Sequence, residues 1–259
     1  MKRTALVTGA SSGLGAAFAR RLAAEGWDLI LVARRTERLE RLAAELTSAH
    51  GIAARAVTAD LAADADVGRL EALIRETPTL ELLVNNAGFG TGRTFVNVPL
   101  EIHLAMHAVH NLAPVRLSYA ALEVMRPHGR GGIINVSSVA AFLAMAGSAS
   151  YSATKAHLVV FSRSLHREVK HRGLTVQALC PGFMTTELHD VPDLEKLRHS
   201  GVPKFLWLKP EKVVDRSLAA LAKRRSICVP GLTYKAAVIL GRLGVLDLLA
   251  AAAKPAPRK

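Results

Sequence analysis

The chain has 259 residues, 50% hydrophobic and only 5% aromatic, with 34 Lys and Arg against 21 Asp and Glu for a net charge of +13. That length is enough to bury a large core in one domain. Two cysteines without ligand spacing exclude a disulfide-stapled scaffold, and no uninterrupted apolar run of about 18 residues is present to span a bilayer. The positive charge comes with no interleaved aromatics and no recognition motif, so no nucleic-acid partner is expected.

The first element is a short apolar strand, Thr4 to Thr8, followed by Gly9, Gly13 and Gly15 and then a helical pattern from Ala16 to Glu25. A strand, a glycine-rich turn and a helix N-terminus make a pyrophosphate site, because the glycines let backbone approach and the free N–H groups favour an anion. The spacing here is Gly-x-x-x-Gly-x-Gly rather than the general Gly-x-Gly-x-x-Gly. A second strand, Leu29 to Val32, runs into Ala33-Arg34-Arg35. A site for NAD would place an acid there to bond the ribose 2′-hydroxyl. Ala33 instead leaves room for a 2′-phosphate, and Arg34 and Arg35 supply planar donors, so NADP(H) is the expected dinucleotide.

A third strand, Ala54 to Thr58, leads to Asp60-Leu61, and a fourth, Leu82 to Val84, leads to Asn85-Asn86-Ala87-Gly88. A helix beginning near Leu100 carries Asn111. The fifth strand, Gly132 to Val136, ends at Ser137-Ser138, and a helix with Tyr151 and Lys155 follows. Four-residue spacing puts phenol and ammonium on one helix face, where the lysine charge is expected to lower the tyrosine pKa and make Tyr151 a usable proton donor or acceptor. The sixth strand, Thr175 to Leu179, precedes Cys180-Pro181-Gly182 and Thr186, and the seventh spans Ser226 to Val229. This alternation predicts an α/β fold, a doubly wound parallel sheet of about seven strands with helices on both faces. Cys180 and Cys228 read as buried free thiols of a reducing compartment. Met1-Lys-Arg runs straight into the first strand, which points to a cytoplasmic protein.

Gly9, Gly13 and Gly15, Asp60, Asn85 to Gly88, Asn111, Ser138, Tyr151, Lys155, Pro181, Gly182 and Thr186 occur in the order of one family. Over residues 4–190 the chain resembles a short-chain dehydrogenase/reductase. The resemblance implies a Rossmann domain whose core and catalytic part occupy 1–190, with 191–259 giving the substrate lid, the last strand and a basic apolar C-terminal segment. It implies Tyr151 as general acid in carbonyl reduction, Ser138 bonding the substrate oxygen, Lys155 lowering the Tyr151 pKa and bonding the nicotinamide ribose, and Asn111 holding a water in a proton relay behind Lys155. It also implies that Ser11, Ser12 and Leu14 line the pyrophosphate turn with the three glycines. Asp60 and Leu61 would meet the adenine, and Asn86, Ala87 and Gly88 would pass beneath its ribose. Pro181, Gly182 and Thr186 would contact the carboxamide. Asn86 has a second role open to it, bonding neighbouring strand backbone. Alternation along the fifth strand turns Ser137 away from Ser138. A homodimer or homotetramer is the implied assembly.

His103, His107 and His110 share a helical stripe. A three-histidine metal face lacks a completing carboxylate or thiolate, so no metal is expected and a packing role stands ahead of it. Phe205-Leu-Trp-Leu208 falls where the family has its lid, which suggests a lipophilic substrate such as a keto-lipid, an acyl derivative or a steroid-like alcohol; ordinary core is the other reading. The charge is uneven: residues 1–195 hold 20 Lys and Arg against 18 Asp and Glu, and residues 196–259 hold 14 against 3. With the apolar run Ala236 to Ala250, that basic end has three uses open to it: a peripheral membrane contact, docking of an acidic partner or another subunit, or packing on its own domain. The expected activity is NADP(H)-dependent interconversion of a carbonyl and an alcohol. A non-catalytic dinucleotide sensor or scaffold is the alternative, and the full set of Ser138, Tyr151, Lys155 and Asn111 speaks against it.

Overall fold

A computed structural model describes residues 2–184, 203 and 206–243. Seven strands form one parallel sheet in the order β3-β2-β1-β4-β5-β6-β7: β1 Thr4–Thr8, β2 Asp28–Ala33, β3 Ala54–Thr58, β4 Leu80–Asn85, β5 Gly131–Val136, β6 Leu174–Leu179 and β7 Ile227–Cys228. The central strands are buried along nearly their whole length, which is why their sequences run continuously apolar instead of alternating. Edge strand β3 is only partly covered and carries an exposed Arg55. The last strand is two residues long where four were expected. It pairs with β6 alone, and Pro230 just beyond has no N–H to extend the ladder.

Helices α1 (Gly13–Ala24), α2 (Thr36–His50) and α7 (Pro210–Ala222) cover one face, and α3 (Asp64–Arg75), α5 (Ala113–Met125) and α6 (Ala149–Val169) cover the other. Each face has its own core. Phe18, Leu22, Leu39, Leu46 and Val213 fill the first, and Leu70, Ile74, Leu117, Met125 and Val176 fill the second, all at most 1% exposed. A buried polar ladder fixes α5 and α6 to the middle of the sheet. Asn85 and Asn135 are register partners on β4 and β5; Asn85 Nδ2 donates to Asn135 Oδ1 at 2.8 Å, and Asn135 Nδ2 donates to Ser162 Oγ of α6 at 2.9 Å. Asn85 Nδ2 also reaches Ser118 Oγ of α5 at 3.3 Å. Such groups are costly to bury unless paired, so the ladder sets the height of α6 against β5.

Strand order reverses between β1 and β4, so the loops leaving their carboxyl ends part and open a crevice. The glycine turn, Asp60, Asn86 to Gly88 and Ser138 follow strands on that edge of the sheet.

Candidate active site

The crevice begins with a cradle made of backbone. Gly9 and Gly13 adopt φ of 66° and 54°, which side-chain-bearing residues rarely do. At Gly15 a Cβ would overlap the Gly9 carbonyl and press on the Asn86 amide, so only glycine lets the first turn of α1 sit on the end of β1. Ser12 caps α1 in an extended conformation without using its hydroxyl for the cap, and Ser11, Ser12 and Gly13 border the groove beside Leu14. Across the crevice Asn86 donates its amide to Thr8 O at 2.9 Å and Gly9 O at 3.3 Å. Its side chain therefore ties β1 to the turn after β4, leaving Ala87 and Gly88 to form the floor. Thr8 Oγ1 completes the tie by accepting from Asn86 N at 2.9 Å and Ala87 N at 3.1 Å. Thr8 was not singled out from the sequence, since a threonine ending a strand carries no signal of its own.

At the mouth of β2, Ala33 is half-buried and Arg34 exposed. Arg35 leans over the cradle: its Nη2 donates to Ser11 Oγ at 3.0 Å and Ser12 Oγ at 2.7 Å. Arg38 and Arg41 line an adjoining groove of about 880 Å³ that runs from Ser11, Ser12 and Gly13 along α1 to Ala24 and Glu45. Sequence reading passed over them, although they follow Arg34 at intervals of four and three residues on α2. This donor set fits a dinucleotide bearing a 2′-phosphate, with the pyrophosphate on the α1 N-terminus and the phosphate among arginines. Asp60, after β3, accepts from Ala62 N at 3.0 Å and is held through its own N–H by Asp66 at 2.7 Å, with Leu61 buried beside it.

The reacting corner lies at the ends of β5 and β6. Ser138 is extended, at φ −161° and ψ 160°; its Oγ accepts from Ala140 N at 3.1 Å and draws the Tyr151 phenol's pKa down. Ser137 turns the other way, buried, and donates to Lys155 O at 2.7 Å. Tyr151 and Lys155 occupy the first two turns of α6. Lys155 is buried, donates from Nζ to Val136 O at 2.9 Å and stands 5.6 Å from the centre of the Tyr151 ring. Burial pushes its ammonium down to about 8. The expectation that Lys155 lowers the Tyr151 pKa is not met in the protein alone. Burial pushes the phenol above its ordinary value, and the group that pulls it back is Ser138.

Asn111 and His110 both reach the Tyr151–Lys155 turn of α6, by different bonds. Between α4 (Leu100–His107) and α5 the helix widens into a π turn, Ala108–Leu112, which shifts the inward-facing position by one residue. His110 is the one that points inward, fully buried, while Asn111 is half-exposed and, with its amide nitrogen as donor, bonds Thr154 O and His110 O at 3.1 Å each. A Cβ on Gly88 would meet both His110 Nε2 and Lys155 Nζ. Elsewhere on the stripe, His103 bonds Phe95 O at 3.0 Å and Ser150 Oγ at 2.8 Å, a packing role. Among the described residues no group of three or more His, Cys, Asp or Glu could hold a metal ion.

Beyond β6, Pro181 is buried and its carbonyl accepts from Val139 N at 3.0 Å, tying that segment to the turn after Ser138. Gly182 lies flat against the Tyr234 ring of α8 (Leu232–Arg242), with no room for a Cβ. The Tyr234 hydroxyl accepts from Phe183 N at 3.0 Å and donates to Leu206 O at 2.6 Å. Phe183 and Trp207 rings approach to 5.6 Å. Thr186, Phe205 and the C-terminal 244–259 fall outside the described residues. The described part of α8 packs Tyr234 and Val238 on the domain and exposes Leu232, Ile239 and Leu243. No described helix is long and apolar enough to cross a membrane. Cys180 and Cys228 are both buried and are not joined in a disulfide.

The short chain dehydrogenase family matches residues 3–194. The chain belongs to that family. A very-long-chain 3-oxoacyl-CoA reductase from Anas platyrhynchos is 32% identical over 233 residues, covering 87% of this chain and 72% of the relative. A short-chain dehydrogenase from Sphingobium yanoikuyae, solved in complex with NADPH, superposes with a TM-score of 0.82 at 33% identity, covering 99% and 98% of the two chains. A bulky-bulky ketone specific alcohol dehydrogenase from Comamonas testosteroni gives 0.80 at 29% identity over 99% and 95%. Membership makes this protein a short-chain oxidoreductase, built on the Rossmann α/β fold described above.

Proposed function

We propose that this protein uses NADP(H) to reduce the carbonyl of a lipophilic small molecule to an alcohol, and runs the reverse oxidation at the same site. The observation that carries the reading is the corner itself: a buried phenol whose pKa Ser138 draws down, with a buried lysine one turn along α6, at the open end of a crevice whose other end presents Arg35. Reduced nicotinamide, when bound, supplies the hydride to the carbonyl carbon. Ser138 donates its hydroxyl hydrogen to the carbonyl oxygen and holds the charge that develops there. Tyr151 then gives that oxygen its phenolic proton. A phenol held above its ordinary pKa is fully protonated at neutral pH, which suits the acid role and hence reduction. Lys155, whose Nζ bonds the Val136 carbonyl and has two further N–H donors, would bond the nicotinamide ribose. Ala33 and Arg35 favour the 2′-phosphate, in keeping with the NADPH complex of the Sphingobium relative.

The lipophilic class is supported by the Phe183 and Trp207 rings beside Gly182, and by relatives named for a very-long-chain 3-oxoacyl thioester and a bulky ketone. NADPH oxidation measured across aldehydes, ketones and 3-oxoacyl thioesters of rising chain length should show kcat/KM climbing with apolar size and NADPH preferred over NADH. A profile that peaks at small polar carbonyls would overturn the substrate class, and an NADH preference would overturn the cofactor reading.

A further inference from the structure

We propose that His110 is a positioning residue that clamps the Tyr151–Lys155 turn to the Gly88–Phe89 loop, and that it does so only as the neutral imidazole with its proton on Nδ1. The inference rests on the proposed reductase site but concerns a residue which that reading does not use.

His110 has both ring nitrogens committed. Nε2 accepts from Phe89 N at 3.0 Å, which leaves the proton on Nδ1, where it is donated to Thr154 Oγ1 at 2.9 Å. Thr154 Oγ1 passes the connection on, donating to Tyr151 O at 2.8 Å. One imidazole thus joins the loop after β4, the π turn and the first turn of α6. Its ring stands edge-on to Phe89 at 5.6 Å and to Tyr151 at 5.9 Å. With no lone pair or proton to spare, it cannot relay protons to the reacting corner. What it fixes is the place of the residue pair that does the chemistry.

An imidazolium would bring two N–H groups face to face at Phe89. It would also set a second cation beside Lys155 of α6 and within the field of His107 of α4; the Gly88–Phe89 loop brings no charge, and Tyr151 of α6 is a neutral phenol. Burial, the Lys155 charge and the His107 charge all hold His110 well below its ordinary 6.5. The clamp stays closed at neutral pH and opens only in acid. The π turn supports this role, since an extra residue in a helical turn re-aims a side chain and such turns concentrate at functional sites.

The test combines His110→Phe, which fills the space but makes neither bond, with His110→Gln, whose amide can accept from Phe89 N and donate to Thr154. His110→Phe should lower kcat on the order of 10- to 100-fold through misplacement of the acid, with NADPH affinity, read by fluorescence, within a few-fold. His110→Gln should recover much of the loss and remove the acid limb expected of the wild type where His110 protonates, well below its ordinary 6.5. A folded His110→Phe protein with wild-type kcat and pH profile would overturn the proposal. Imidazole nitrogen NMR on the wild-type protein provides the arm independent of folding and turnover: a neutral Nδ1–H signal through the range where exposed histidines titrate supports the clamp. An imidazolium at pH 6, or a proton on Nε2, overturns it. If the wild type turns over no carbonyl at all, the reductase reading fails while the NMR result still decides His110.

Discussion

At the carboxyl end of β1 the dinucleotide cradle is built almost wholly of main chain: three glycines, the α1 N-terminus and two carbonyls tied by Asn86. At the ends of β5 and β6 the reacting corner is built of side chains, with Ser138, Tyr151, Lys155, His110 and Tyr234 arriving from four segments and held by bonds to different neighbours. A backbone site is specified by where side chains are missing, so a local run of glycines announces it. A side-chain site is specified by long-range contacts, and only the residues that touch the reacting atoms leave a pattern in the sequence. The two therefore respond differently to substitution: single changes in the corner can remove chemistry while sparing cofactor, and changes at the cradle's rim alter which cofactor is taken.

The sharpest division of the two regions comes from Tyr151→Phe. It removes one hydroxyl that the cradle never sees. Turnover should fall by about 100- to 10,000-fold, the span typical of a lost general acid, while NADPH binding measured by fluorescence titration stays unchanged. A loss of cofactor affinity that matches the loss of rate would mean the corner and the cradle are not separable.

Lys155→Met probes the cost of the corner. An ammonium held near 8 in the folded protein, against an unfolded value near 10.5, is a depressed base. The folded state then binds fewer protons than the unfolded one between those values, so stability falls as pH drops from 10.5 to 8 and stays lowered below that. The deficit at pH 7 is of order 3 kcal/mol, reduced by the Nζ bond to Val136 O that methionine would forfeit. Lys155→Met should therefore be more stable than the wild type by about 1 to 3 kcal/mol at pH 7, with the gap closing toward pH 11, in cofactor-free denaturant melts. Equal stability at both pH values would show that the lysine is hydrated rather than desolvated.

The order and class of the elements were legible because burial on both faces makes parallel strands continuously apolar, and glycine or asparagine turns punctuate them. Thr4 to Thr8 and Ala54 to Thr58 match their strands residue for residue, and the others differ by a residue or two at their ends. Legibility stopped where geometry depends on how a turn winds. Asn111 and His110 are adjacent in sequence, and nothing local tells that a π turn would bring the His110 ring, buried, against Gly88 and Thr154 as well. Charge tuning was equally hidden. Spacing placed Lys155 near Tyr151, but the direction of its Nζ toward Val136 O is decided by β5, nineteen residues earlier. Tyr234, which joins Phe183 to Leu206, belongs to a stretch without any signature.

The gentlest way to probe the cradle is at its rim, with Arg35→Ser. The guanidinium lies across Ser11 and Ser12, and its planar fork suits a phosphate better than a hydroxyl. Its removal should cost NADPH about 1 to 3 kcal/mol relative to NADH, the range of a lost charge-assisted bond. Arg38 and Arg41 on the adjoining groove keep the effect from being larger. Parallel kcat/KM measurements with the two cofactors would show it as a changed ratio with the NADH value nearly constant. A fall in both values alike would mean that Arg35 holds the Ser11–Ser12 turn in shape and does not read the 2′ position, which would move the discrimination to Ala33 and make Ala33→Asp the deciding substitution. The corner should ignore the change altogether, because the guanidinium sits at the far end of the crevice from Tyr151, and an altered pH profile in Arg35→Ser would break the division between the two regions from the opposite side.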